Sequence, residues 1–147
     1  MTPTTEVETA MAARLGARLE LPLRTTNALA GRIARDTARL YLASWTVDDD
    51  AADAVLQVIA ELLGNVVRHT DSAHALLVVC HLRDRIRIEV SDFGRPRVEG
   101  TAPVVLSVGD DEEDRRGLAL VEYFSAKAGD YPNDRGLTRY SEIALAA

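Results

Sequence analysis

Between Leu29 and Val90 the hydrophobic pattern changes period once, and that change limits the folds open to the chain. Leu29, Ile33, Thr37, Leu40 and Trp45 recur near helical spacing with arginines between them, and Val55, Ile59, Leu62, Leu63 and Val66 do so again. From Ala75 the pattern becomes that of strands. Ala75 to Leu82 is a short apolar run, and Ile86, Ile88 and Val90 then alternate with Arg85, Arg87 and Glu89 across a turn at Arg83 and Asp84. Upstream, Leu19, Leu21 and Leu23 alternate with Glu20 and Pro22, which predicts a short edge strand because proline cannot donate to a central ladder. Thr25 or Thr26 is the expected N-cap of the first helix. Asp48, Asp49 and Asp50 cap and charge the start of the second, which runs to about His69.

Past the second strand comes Asp92, Phe93 and Gly94, then a stretch of about twenty residues rich in proline and glycine, a length that marks lids and binding loops. It ends in the acidic run DDEEDRR and enters a helix predicted over Gly117 to Phe124. A strand at Ser125 to Gly129, a turn through Pro132, Asn133 and Asp134, and a last strand from Leu137 to Leu145 complete the order. Two long helices, a hairpin, a loop, a short helix and a second hairpin imply an α+β fold. The expected form is a two-layer α/β sandwich, a mixed sheet with helices on one face. Residues 1–18 are assigned as an N-terminal extension and 19–147 as a single domain. At 147 residues with 47% hydrophobic residues, the chain can bury a real core.

Composition also excludes classes of function. No apolar run approaches the ~20 residues of a membrane span, and the start MTPTTEVETA has neither a basic nor an apolar leader region, so a cytoplasmic location and no membrane contact are expected. The one cysteine, Cys80, lies in ALLVVC, where a small buried core residue is the ordinary reading. A net charge of −6 argues against nucleic acid as a partner, since displacing phosphate counterions needs a basic surface. A protein or a small molecule fits better.

The second helix carries the chemistry. In ELLGNVVRH, at about 100° per residue, Glu61, Asn65 and Arg68 fall on one stripe with His69 beside it, while the apolar residues cover the other side. An acid that can take a proton, a neutral oxygen that can ligate a hard cation and a guanidinium that can meet phosphate suit a nucleotide site. The plain alternative is the solvated face of an amphipathic helix.

Four signals in order, ELLGNVVRH on a helix, DFG at a strand end, RRGLALVE at a helix start and GLT opening the last strand, resemble the GHKL (Bergerat-fold) ATPases. Within that superfamily, the short length and spacing are most similar to anti-sigma-factor serine kinases and their actinobacterial relatives. The resemblance spans roughly residues 19 to 145 and implies ATP and Mg²⁺ as cofactors. It implies Glu61 as the catalytic carboxylate, Asn65 as the Mg²⁺ ligand, Arg68 as a phosphate contact and His69 as the close of the motif. Asp92 would read adenine and Gly94 would let the backbone approach the base. Arg116, Gly117 and Leu118 would meet phosphate at a helix start. Thr138 would support the adenine site. The sequence departs from the family where Arg115 replaces the first glycine of a GxG pair, where Asp110 to Asp114 place acids beside the expected triphosphate, and where Leu137 replaces a basic residue.

The function implied is an ATP-binding regulatory protein, an anti-sigma-type serine/threonine kinase whose partners are a sigma factor and an anti-sigma antagonist. A sheet-edge or N-terminal-strand homodimer fits the same resemblance. The alternative is a noncatalytic regulator that uses the fold for protein binding. A detached histidine-kinase domain fits less well, because no upstream helix pair carries an acceptor histidine. No serine sits on a nucleophile elbow, and His69, His74 and His81 lack the spacing of a metal site.

Overall fold

A computed structural model describes residues 17–94 and 112–146, with the side chains of residues 112–116 and 118 outside the description. Eight elements follow one another: β1 (Arg18–Arg24), α1 (Ala30–Ser44), α2 (Asp49–His69), β2 (His74–His81), β3 (Arg85–Asp92), α3 (Glu112–Phe124), β4 (Lys127–Pro132) and β5 (Leu137–Ala144). The N-terminal extension and the long loop predicted after Gly94 lie largely outside the described residues. The five strands form one sheet in the order β1-β2-β3-β5-β4. Every neighbouring pair is antiparallel, so the sheet is not mixed as expected. Periodicity places residues on faces but carries no information on strand direction, and short hairpin connections here favour the antiparallel choice.

The three helices of the described residues all contribute to one apolar cluster against a single face of the sheet. Leu77, Val79, Ile86, Ile88, Val90 and Ile143 supply the sheet side, and Leu42, Val55, Val58, Ile59, Leu62 and Val121 the helix side. The α+β two-layer sandwich is therefore as expected. In α2 the apolar residues picked from the sequence, Val55, Ile59, Leu62, Leu63 and Val66, are all buried. Its start is fixed by Asp48, whose Oδ1 accepts from the Ala51 N–H at 2.9 Å, with Asp49 and Asp50 in the first turn.

The first helix differs from expectation at its start and in its facing. It begins at Ala30, and the turn before it is held by Asn27, whose Oδ1 accepts from the Leu29 N–H at 2.9 Å, rather than by Thr25 or Thr26. It ends in a Schellman motif, with Val47 N–H on the Leu42 carbonyl at 3.1 Å and Thr46 N–H on that of Ala43 at 3.0 Å. Thr46 takes the left-handed position at φ 56°, unusual for a β-branched residue. The helix turns Ala34, Ala38 and Leu42 inward and leaves Leu29, Ile33, Leu40 and Tyr41 exposed.

The opposite face of the sheet carries a buried ionic cluster. Arg87, only 1% exposed, reaches Glu89 at 2.7 Å and Glu142 at 2.9 Å and lies 4.2 Å over the Tyr140 ring. Beside it, Val78, Cys80 and Leu82 form a small apolar group. Burial pushes the Cys80 thiol above its ordinary pKa, which keeps it protonated and supports its reading as a core residue. Among the described residues no helix is long and apolar enough to cross a membrane.

Candidate functional site

The structure brings the sequence-predicted residues together in two groups. The first stands on α2. Asn65 is 4% exposed, and its Oδ1 accepts from Arg68 Nη2 at 3.0 Å. The same Nη2 lies 3.7 Å from Glu61 Oε2, so an amide oxygen and a carboxylate oxygen converge on one cation. Asn65 Nδ2 is buried with no hydrogen-bond partner among the described residues. Such an orphan costs about 1–3 kcal/mol when nothing meets it, which is expected of a group awaiting an acceptor. His69, half-buried, closes the helix, and Thr70 after it returns its hydroxyl to the Val66 carbonyl at 2.9 Å.

Helix α3 completes this group. Gly117 is buried, and a Cβ built there would overlap Glu61 Oε2, so the helix backbone passes directly against the carboxylate. The helix starts at Glu112 rather than at Gly117. Glu112, Glu113 and Asp114 lie in its first turn. Gly117 and Leu118 consequently lie beyond the first four unbonded N–H groups, and a helix-start phosphate cradle at those two residues is not what the fold provides. The expected contribution of Arg116, like that of the Leu118 side chain and of Arg115, lies outside the described residues.

The second group sits where β3 ends. Asp92 is buried, and its Oδ1 accepts from the N–H groups of Leu137 at 3.3 Å and Gly94 at 3.4 Å. Oδ2 has no hydrogen bond among the described residues. Thr138 is buried one strand away, its Oγ1 2.7 Å from Ser91 Oγ and 3.2 Å from Asn133 Nδ2. Register explains the meeting, because Ser91 pairs with Thr138 across β3 and β5. Gly94 is pressed against Ser72, whose N would stand 2.6 Å from any Cβ added there.

Three residues of this group were not predicted from the sequence. Asn133 spans the last hairpin turn, its Oδ1 accepting from Gly136 N–H at 2.7 Å and its Nδ2 donating to the Asp92 carbonyl at 3.1 Å. Gly136 lets that turn close, since a Cβ would stand 2.7 Å from the Asp92 carbonyl oxygen. Ser72 donates to the His74 carbonyl and accepts from Phe93 N–H at 3.0 Å, stitching the end of α2 to the end of β3. A turn signal at Pro132 to Asp134 was visible, but its target on β3 was not.

Chemically, the first group offers a carboxylate, an amide oxygen and a guanidinium, and the second offers an acceptor-only carboxylate edge beside hydroxyls. No three His, Cys, Asp or Glu side chains cluster as a metal site among the described residues. That suits Mg²⁺, which takes one or two protein oxygens and completes its shell from phosphate and water. The residues present fit the ion, with Asn65 Oδ1 and Glu61 already gathered on a positive charge.

Comparison with known proteins gives the family and the fold. A family model described as histidine kinase-like ATPase domain matches residues 23–138. The structure of the RsbU and RsbW domains of Rv1364c from Mycobacterium tuberculosis is similar with a TM-score of 0.65 and 20% identity, over 87% of this chain and 32% of that one. This chain thus spans about a third of that protein's structure. The SiaB–SiaC complex from Pseudomonas aeruginosa is similar with a TM-score of 0.66 and 15% identity, over 94% of this chain and 99% of that one. No curated protein matches the sequence. At these identities the structural likeness concerns the fold.

Proposed function

Because the chain belongs to the histidine kinase-like ATPase domain family, we propose that it binds Mg-ATP and phosphorylates a serine or threonine of an anti-sigma antagonist. The observation that carries the reading is the convergence of Glu61 and Asn65 on one cation with the backbone of Gly117 closed against Glu61. In this reading Glu61 takes the proton of the attacking hydroxyl as the bond to the γ-phosphorus forms and the β–γ bridging bond breaks. Asn65 Oδ1 is the oxygen to hold Mg²⁺, which when bound neutralises phosphate charge. Arg68, which now donates to that oxygen, would turn to phosphate when the ion takes its place. Asp92 Oδ2 accepts from the amino group of adenine and has no proton to offer the carbonyl of guanine. Thr138, held by Ser91 and Asn133, supports the same edge, and His69 is a structural end to the motif.

A protein partner is in keeping with the SiaB–SiaC complex, named for two proteins, and with the RsbW domain solved beside an RsbU domain. A cytoplasmic sigma-factor circuit is the setting that reading implies. Arg115, where the resemblance implies the first glycine of a GxG pair, favours a second reading, a noncatalytic regulator that binds protein through the same fold. Incubation with Mg-ATP and candidate antagonists separates the two. Phosphoserine or phosphothreonine made by the native protein and not by Glu61→Ala is the expected result. Tight ATP binding with no phosphorylated antagonist would give the noncatalytic reading instead.

A further inference from the structure

Helix α1 is packed by its small residues and shows its large ones. Ala34, Ala38 and Leu42 are buried, whereas Leu40 is 72% exposed, Leu29 56% and Ile33 40%. At about 100° per residue these three side chains fall within about 40° of one another, a single outward stripe of three helical turns, ~16 Å long. Isolated exposed leucines are ordinary, but an aligned apolar stripe on a helix whose opposite face is already packed marks a contact surface.

The flank of the stripe is basic. Arg32 and Arg39 share one carboxylate, Asp36, at 3.8 Å and 3.2 Å. Arg35 has no ion pair among the described residues. One acid therefore serves two of three neighbouring arginines, in a chain whose net charge is −6. The stripe also continues into a cavity of about 590 Å³ between α1 and α2, lined by Leu23, Leu29, Leu63, Val67, Arg35 and Arg68 among others. Arg68 at its far side is the residue that holds Asn65 and Glu61.

We infer that the outward face of α1 is a docking surface for a protein partner that presents an acidic amphipathic helix. Its apolar side chains cover Leu29, Ile33 and Leu40, its carboxylates meet Arg32, Arg35 and Arg39, and the cavity receives the segment leading toward Glu61. This rests on the reading of the chain as a protein that acts on another protein, and it assigns the surface by which that partner is held. A second copy is disfavoured, since two α1 helices packed antiparallel through this stripe would set Arg32 of one against Arg39 of the other. Like charges across an interface act against association.

The test uses the full chain and a fluorescent synthetic helix of about 18 residues, with leucines spaced to oppose the stripe and glutamates on both flanks. A control peptide carries lysine for every glutamate. Fluorescence anisotropy is expected to show salt-sensitive binding of the acidic peptide, weakened about tenfold or more by Leu40→Glu, Ile33→Glu and Arg35→Glu, and by the lysine exchange. Melting curves and ATP calorimetry of Leu40→Glu and Ile33→Glu are expected to match the native protein, since Leu40 and Ile33 touch neither the core nor the nucleotide site. Absence of binding, or binding indifferent to Leu40→Glu, overturns the inference. So does a native dimer, seen by ultracentrifugation, that Leu40→Glu dissociates. Native protein that binds the peptide and not ATP would instead refute the nucleotide reading and leave the docking surface standing.

Discussion

Asp92→Asn separates reading of the base from support of the fold. The aspartate Oδ1 accepts from Leu137 and Gly94 N–H groups at 3.3 and 3.4 Å, and an asparagine Oδ1 can accept both in the same place. Only the other edge changes: an acceptor oxygen that has no partner among the described residues becomes an NH₂ donor. A hydrogen bond to a charged group contributes about 1.5–3 kcal/mol, and the substitution removes it and turns a donor toward the adenine amino group. At 1.4 kcal/mol per decade, ATP affinity is expected to fall by about 10- to 150-fold. Stability is expected to change by less than about 1 kcal/mol, since both backbone contacts remain. Titration calorimetry with ATP and GTP, beside urea unfolding, measures both quantities. The native protein should prefer ATP, and the variant should lose most of that preference as its amide can now donate to the guanine carbonyl. ATP affinity equal in the two proteins, or native binding of GTP as tight as of ATP, would refute the assignment of Asp92.

Other substitutions probe other parts of the argument. Gly117→Ala puts a methyl group where Glu61 Oε2 now lies, so phosphoryl transfer should fall about a hundredfold, the scale of a displaced general base, while circular dichroism stays native. Arg87→Met leaves Glu89 and Glu142 without their shared cation. The expected loss is about 3 kcal/mol in urea unfolding, the low end for a broken buried pair because Glu89 keeps 22% exposure and can rehydrate. Thr46→Gly relieves the left-handed position at φ 56° and should stabilise by about 0.5–1 kcal/mol after glycine's own entropy is set against it, read as a higher denaturation midpoint.

Helix α2 was legible because its two faces differ in kind, apolar against polar, and because its cap is an aspartate run. Helix α1 was misread in facing because it offers two apolar stripes, one of large residues and one of Ala34, Ala38 and Leu42. Hydrophobic weight selects the first, whereas close approach to α2 and β1 requires the second. Glu61, Asn65 and Arg68 could be grouped from spacing alone, being turns of one helix. Asn133 and Ser72 could not, as their partners stand 41 and 21 residues away and depend on register and turn closure. The start of α3 was placed late because an acidic run reads as loop, although it is also what the first turn of a helix accepts.

Asp92 receives the backbone of the last hairpin in addition to its proposed role toward the base: Leu137 N–H ends on its carboxylate and Asn133 on its carbonyl. A descendant of this fold that abandoned nucleotide would still need an acceptor there to close its final two strands. Retention of that aspartate in a relative is accordingly weak testimony to ATP use. The informative pair is Glu61 with Gly117, where a carboxylate and the bare backbone beside it have no comparable task in holding the chain together.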